Sequence, residues 1–296
     1  MTKEEVLIEA LPYIQTYEGK TFVVKFGGAV MVEENLKRAF AKDATMLKKL
    51  GINIVVAHGG GKEITKIADA FGIETRFVNG LRYTDEKTLE AVLMGLCSLN
   101  KEIAGLITKN GGNAIGLCGA DAALLKAKKL VSEIDLGFVG EVVGVNVALL
   151  ELLMKNEMIP VVAPIGMGER GELYNINADA VASAIAIALK AEKLVYLSDI
   201  EGVMVDGKRM PSLNRAQATT LIQEGKICGG MIPKVNSAFE AIEAGVKKVR
   251  FIDGRIKHSL LLEVFTSDGV GTEITSDNET ARLAAFADDV DGKNEP

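Results

Sequence analysis

Six short runs, "TFVVKF" (21–26), "NIVVAH" (53–58), "NAIGL" (113–117), "IPVVAPI" (159–165), "KLVYLSD" (193–199) and "KVRFID" (248–253), constrain this chain most. They are rich in Val, Ile and Leu and lack the polar alternation of a half-exposed strand. Strands of that kind are buried on both faces. Longer segments of helical periodicity separate them, at 33–50, 62–71, 85–110, 147–156, 178–189, 214–224 and 231–244. The alternation predicts an α/β fold, a central mostly parallel sheet sandwiched between two helical layers. Such sheets bind ligands outside the carboxyl ends of their strands. Several of the runs end there in polar or glycine-rich turns: "KFGG", "AHGGGK" and "LSDIEG".

Two regions depart from this rhythm. "LLKAKKLVSEIDLGFVGEVVGVN" (124–146) carries turn residues and short alternations, which predict an antiparallel hairpin. The first twenty residues read as an amphipathic helix rather than a signal peptide: Thr2 to Glu5 fits an S/T-x-x-E capping box, and Pro12 is expected to kink or end the helix. The tail at 277–296 is acidic and ends in turn formers, so it is expected to be partly disordered, with one short helix around 281–286.

The chain has 296 residues and a formal charge of −6, so nucleic acid is excluded as an electrostatic partner. No apolar stretch approaches the roughly 18 residues of a membrane span. Cys97, Cys118 and Cys228 are odd in number and lack CxxC spacing, which predicts reduced core thiols in a cytoplasmic protein.

Two motifs are decoys. "GMGERG" (166–171) has the glycines of a dinucleotide fingerprint, but extended residues follow where a helix must open, so it reads as a turn. "GGGK" (59–62) lacks both the first glycine and the Ser or Thr of a P-loop. With only His58 and His258, a histidine triad or metal site is improbable.

Five constellations carry chemistry. Lys25 stands at the tip of a core strand beside Gly27 and Gly28, where backbone N–H groups can approach an anion. Gly59, Gly60 and Gly61 join a strand to a helix N-terminus, again suited to a ligand that touches backbone. Arg82, in "NGLRYTD", offers a fork for a carboxylate, although taken alone it fits a solvated surface arginine better. In "LYNINADAVA", Asn177 is a natural N-cap and Asp179 lies in the first turn; helix capping leaves Asn175 unexplained. Lys234 follows Pro233 in a first helical turn, where the dipole disfavours a cation unless an anion compensates.

In order and spacing, "VVKFGG", "VAHGGG", "VNGLRYTD", "YNINADAVA", "LSDIEGV" and "GGMIPKVNSA" resemble the amino acid kinase family, in particular its branch acting on N-acetyl-L-glutamate. The resemblance covers roughly residues 6–274. It implies phosphorylation of the γ-carboxylate of N-acetyl-L-glutamate by ATP with Mg2+, an early step of arginine biosynthesis. It implies two lobes on one sheet: an acceptor-binding and dimerising lobe at 21–190 and an ATP-binding lobe at 191–276. Carried over by motif, Lys25 and Lys234 stabilise the transferring phosphoryl group and Asp179 holds them. Gly60, Gly61, Arg82 and Asn175 contact the acceptor. Gly28 and Asp199 face the nucleotide, and no protein metal site is implied. Residues 1–20 resemble the helix that joins dimers into a ring, a trimer of dimers, in arginine-inhibited members. Glu263 and Gly269, in "IKHSLLLEVFTSDGVGT", correspond to arginine contacts. Arg250 departs from the histidine expected in some arginine-sensitive relatives. Nothing in the sequence indicates a PII-type partner. A sister kinase of the same family, or a silent amino-acid-binding subunit, would be separated from this reading by substrate and ATP turnover.

Overall fold

In the computed structural model, which describes residues 3–266 and 269–276, all six runs form strands. They are β1 (Thr21–Phe26), β2 (Asn53–His58), β3 (Ala114–Leu117), β4 (Ile159–Val162), β5 (Lys193–Ser198) and β6 (Lys248–Asp253). All six are mutually parallel within one eight-stranded sheet. The order runs Ser212–Leu213, Thr272–Ile274, β6, β5, β1, β2, β4, β3. Thr272–Ile274 runs antiparallel to β6, and Ser212–Leu213 runs parallel to Thr272–Ile274. The chain leaves β1 toward β2 on one side and returns later as β5 on the other. The crevice at the carboxyl end of β1 is therefore a topological switch point, where open α/β sheets hold ligands.

Nine helices cover the two faces among the described residues: α1 (Lys3–Tyr17), α2 (Glu34–Lys49), α3 (Gly61–Ala70), α4 (Glu86–Lys109), α5 (Val147–Lys155), α6 (Ala178–Ala188), α7 (Arg215–Gln223), α8 (Met231–Glu243) and α9 (Ser259–Phe265). Strand alternation sorts β1 between the two cores. Phe22, Val24 and Phe26 pack with α2, α4 and α9. Val23 packs on the other side with α6 and α8. Lys25 shares the parity of Val23, so it points toward α6 and α8. This period of two is the local reason that a lysine of β1 meets side chains from those two helices.

The antiparallel excursion is present, with Leu125–Lys129 paired to Gly140–Val145 in a second, four-stranded sheet. "GMGERG" ends the strand Ile165–Met167 and makes the hairpin turn that leads to Leu173–Asn175. Four expectations change. The run "IPVVAPI" is cut after β4, because Pro164 has no N–H for a ladder, and Ile165–Met167 joins the second sheet. Helix α1 continues through Pro12 to Tyr17; the carbonyl that proline leaves unpaired belongs to Ile8, which is 70% exposed and open to water. Cys97 and Cys228 are exposed and Cys118 is half-buried, so none is a core thiol, although all three are free. Helix α4 has the length and apolarity of a membrane span, but its Val92, Leu96, Leu99, Ile103 and Ile107 are buried against the protein. The capping Thr2 and the acidic tail at 277–296, with its helix at 281–286, lie outside the described residues.

Candidate active site

Three charged side chains converge at the end of β1. Lys25 is 7% exposed, and its Nζ lies 2.9 Å from Asp179 Oδ1. Lys234, in the first turn of α8, donates to Asp179 Oδ2. The Lys25 contact is an ion pair without hydrogen-bond alignment, so Asp179 Oδ1 has no hydrogen bond of its own. Burial alone would raise the Asp179 pKa; the two ammonium groups outweigh it and hold the carboxyl below its ordinary value. Asn177 caps α6 by accepting from the Asp179 N–H at 2.8 Å, which fixes the first turn carrying Asp179. The cluster carries one net positive charge, suited to an anion.

The glycines shape the space around it. A Cβ on Gly27 would stand 2.4 Å from Lys25 Nζ, so only glycine lets the lysine lie across the turn. Gly28 has φ +72°, and a Cβ there would stand 2.9 Å from Asp199 Oδ1. A cavity of about 270 Å3 opens beside them, lined by Lys25, Gly60, Gly61, Arg82, Asn175 and Asp179 among others. Gly28 also borders it, and Lys234 reaches its edge through Asp179.

Arg82 is buried and pairs with no carboxylate among the described residues. Its Nη2 donates to the Gly61 carbonyl and to Thr65 Oγ1, both at 2.9 Å, and Nη1 donates to Thr75 Oγ1 at 3.2 Å. The Phe77 ring lies 4.8 Å from the guanidinium carbon. Burial lowers the Arg82 pKa, with Asp69 opposing the shift. A guanidinium held only by neutral acceptors in a cavity wall is prepared for an incoming carboxylate. Asn175 Nδ2 donates to Thr84 Oγ1 at 3.1 Å, and Thr84 Oγ1 donates to the Arg82 carbonyl at 2.8 Å. Thr65, Thr75 and Thr84 thus position two expected site residues. Nothing in their local sequence separates them from other threonines.

Asp199 lies apart from this cavity. It lines a second one of about 350 Å3, with Ile200, Gly202, Met204, Cys228 and Met231. A larger space of about 620 Å3 touches both Gly28 and Asp199; Lys37 in its wall is neutralised by Glu34 and Glu102. Glu263 and Gly269 are remote from the lysine pair but close to each other, since a Cβ on Gly269 would stand 2.7 Å from Glu263 Oε2. Glu263 pairs with Lys193 at 3.4 Å and Arg250 at 3.0 Å, and accepts from the Val270 N–H at 3.2 Å. Lys193 opens β5, so this cluster occupies the opposite strand end from the crevice.

His58, at the tip of β2, is fully buried. Burial drives its pKa down to about 4, against the pull of its hydrogen bond to Gly59. The folded protein therefore binds fewer protons at this ring than the unfolded chain, whose value is about 6.5. The stability conferred by a neutral His58 is complete above pH 6.5 and is lost as pH falls toward 4. Lowering pH from 7 to 5 should cost about 2 kcal/mol through this residue. Urea denaturation of wild type and His58→Asn at both pH values would measure it: the variant should lack that component, and equal pH dependence would contradict the assignment.

Residues 20–253 match the amino acid kinase family, and the chain belongs to it. It is 51% identical over 275 residues to an acetylglutamate kinase of Chlorobaculum tepidum, covering 93% of this chain and 96% of that one. It is 52% identical over 290 residues to an acetylglutamate kinase of Aquifex aeolicus, covering 92% and 97%. Within the family it therefore groups with the acetylglutamate kinases. Among solved structures, N-acetylglutamate synthase from Neisseria gonorrhoeae complexed with coenzyme A and N-acetyl-glutamate is similar, with a TM-score of 0.84 and 27% identity. That match covers 93% of this chain and 64% of the longer synthase.

Proposed function

We propose that the crevice at the end of β1 transfers the γ-phosphoryl group of ATP to the γ-carboxylate of N-acetyl-L-glutamate, a step of arginine biosynthesis. The observation that carries this reading is the Lys25–Asp179–Lys234 clamp, set in a cavity that also presents an uncompensated Arg82. A γ-carboxylate is ionised at pH 7, so its oxygen attacks phosphorus without a general base. The bond to the bridging oxygen breaks, ADP leaves with the electron pair, and an acyl phosphate forms. The obstacle is repulsion between anions, which preorganised positive charge relieves. In this reading Lys25 and Lys234 flank the transferring group while Asp179 fixes their spacing. Gly28 N–H faces the phosphoryl oxygens, Gly60, Gly61 and Asn175 touch the acceptor, and Asp199 with its 350 Å3 cavity takes the nucleotide side. No group of three or more His, Cys, Asp or Glu among the described residues forms a cation site. Mg2+ carried by the ATP phosphates would neutralise their charge. A coupled ADP-release assay with N-acetylglutamate, glutamate, aspartate and carbamate tests the reading. Turnover with the first alone is expected; preference for another acid would overturn it.

Arg82 takes the α-carboxylate, away from the reacting atoms. Lysine would keep the charge and lose the fork. Arg82→Lys should therefore raise the KM for acetylglutamate about tenfold or more, with a smaller change in kcat. Steady-state kinetics with each substrate varied would check this. A raised ATP KM alone would assign Arg82 to the other ligand.

Assembly and arginine inhibition form a second part of the proposal, with a cytoplasmic location supported by the three free thiols. Ile8 and Leu11 leave apolar surface exposed on α1, as a helix that pairs with the same helix of a neighbouring dimer would. The Tyr17 ring, at the end of α1, lies 5.0 Å from Lys193 Nζ in the Glu263 cluster. Arginine entering that cluster would compete with Arg250 for Glu263. Deleting residues 1–17 should give dimers that keep substantial kinase activity and respond less to arginine. Light scattering and an arginine titration would test both halves; a truncated protein that remains hexameric or fully sensitive would refute the coupling.

A further inference from the structure

We propose that His58 is a positioning residue that aims the Gly60 N–H into the acceptor cavity by holding the Gly59 carbonyl from behind. The proposal rests on the acetylglutamate reading above.

The argument begins with the ring's partners. His58 Nδ1 lies 2.7 Å from the Gly59 carbonyl oxygen, and Nε2 lies 3.1 Å from Asn100 Nδ2. A carbonyl oxygen only accepts, so Nδ1 carries the proton. The same logic orients Asn100. Its Nδ2 also donates to the Val161 carbonyl at 2.8 Å, so it is the amide nitrogen that faces Nε2. Full burial keeps the ring neutral, and Nε2 accepts. One tautomer satisfies every partner, and α4 and β4 lock it from the far side.

The consequence lies one peptide further on. The Gly59–Gly60 peptide is planar and trans, so its C=O and N–H point in opposite directions. Pulling the carbonyl toward His58 turns the Gly60 N–H away from the protein interior. That N–H has no acceptor among the described residues, and Gly60 lines the cavity beside Lys25 and Arg82. Gly60 is also the N-cap of α3, with φ 167° and ψ 17°, and receives no side-chain cap. Backbone bonds from the Gly59 N–H to Phe26 and from the Ile64 N–H to the Gly60 carbonyl anchor the loop at either end, and the imidazole is the side chain that holds the peptide between them. A donor aimed before the ligand arrives strengthens binding without rearrangement.

Three variants and one spectrum test the idea. His58→Leu fills the space without a donor. It should raise the KM for acetylglutamate about ten- to a hundredfold and leave the ATP KM near wild type. Asparagine places an amide N–H near the position of Nδ1, so His58→Asn should recover most of the lost kcat/KM. Glutamine reaches only toward Nε2, so His58→Gln should not. If His58→Leu does not fold, the contrast between asparagine and glutamine carries the test alone. The chain has two histidines, so a 15N-histidine NMR spectrum resolves the wild-type tautomer directly. A proton on Nε2 would overturn the proposal. So would variants whose kcat falls with the active fraction while both KM values stay unchanged, the mark of a purely structural role. Wild-type protein that turns over no N-acetylglutamate would instead overturn the parent reading, and this one with it.

Discussion

Lys25→Ala and Lys234→Ala are each expected to lower kcat about 10²-fold, a loss on the order of 3 kcal/mol of transition-state stabilisation. Each lysine approaches Asp179 from a different element, β1 and α8, so removing one leaves the other paired and the fold intact. Asp179→Asn should be at least as damaging. It removes the one anion between the two ammonium groups, which then repel and lose their spacing. Lys25 is nearly buried, so its charge would be left there without the counter-ion that holds it in place. Steady-state kinetics would be read beside circular dichroism. A folded Lys25→Ala or Lys234→Ala protein with nearly full kcat would remove that lysine from the mechanism. Full activity in Asp179→Asn would show that the lysines hold their places without it.

The parts of this site differ in how far the sequence exposes them. Lys25 is legible because apolar residues surround it in a strand, and alternation even decides the face to which it points. Asp179 and Asn177 are legible as a helix start. Their meeting with Lys234, fifty-five positions after Asp179, is not a local property; it came from the order of motifs shared with a family. His58 carries a signal of another kind. A lone histidine before three glycines is no triad, yet its place at the strand tip leaves its ring only backbone and core for partners. Other features had no local signal. Helix α9 starts after His258, which sits in the left-handed region at φ 62° and pairs with Asp43 at 2.5 Å instead of capping the helix. The N-cap position falls on His258, and Ser259 stands one place inside the helix, so the usual capping residue is out of register with the observed start. Likewise "IPVVAPI" is uniformly apolar; Pro164 marks where the strand breaks, but nothing in the pattern records that Ile165 beyond it joins a different sheet.

Glu263 belongs to the same class, and its replacement should have the largest effect on stability. In "SLLLEVF" a single glutamate interrupts an apolar run, and nothing in the local pattern says that it is buried. It is 2% exposed, facing Lys193 at 3% and Arg250, which come from the neighbouring strands β5 and β6. Glu273 also pairs with Arg250, but no carboxylate other than Glu263 pairs with Lys193 among the described residues. Glu263→Ala would leave two cations without their shared counter-ion and the Val270 N–H without its acceptor. Breaking a buried ionic group in this way costs about 3–5 kcal/mol. Glu263→Gln keeps an acceptor for Val270 and should fall between Ala and wild type. The pH dependence has a definite sign. Burial already lowers the Lys193 pKa, and Glu263 opposes that shift. Without Glu263 the folded value drops further while the unfolded value stays ordinary, so the unfolded chain binds more protons over a wider range. Stability of Glu263→Ala should therefore recover in part as pH rises from 7 to 9, where Lys193 loses its proton in the folded state at smaller cost. Urea denaturation of the three proteins at both pH values would measure this. A loss below about 1 kcal/mol at pH 7, or a loss that grows with pH, would mean that water or Glu273 compensates the two cations and that Glu263 is not what holds them.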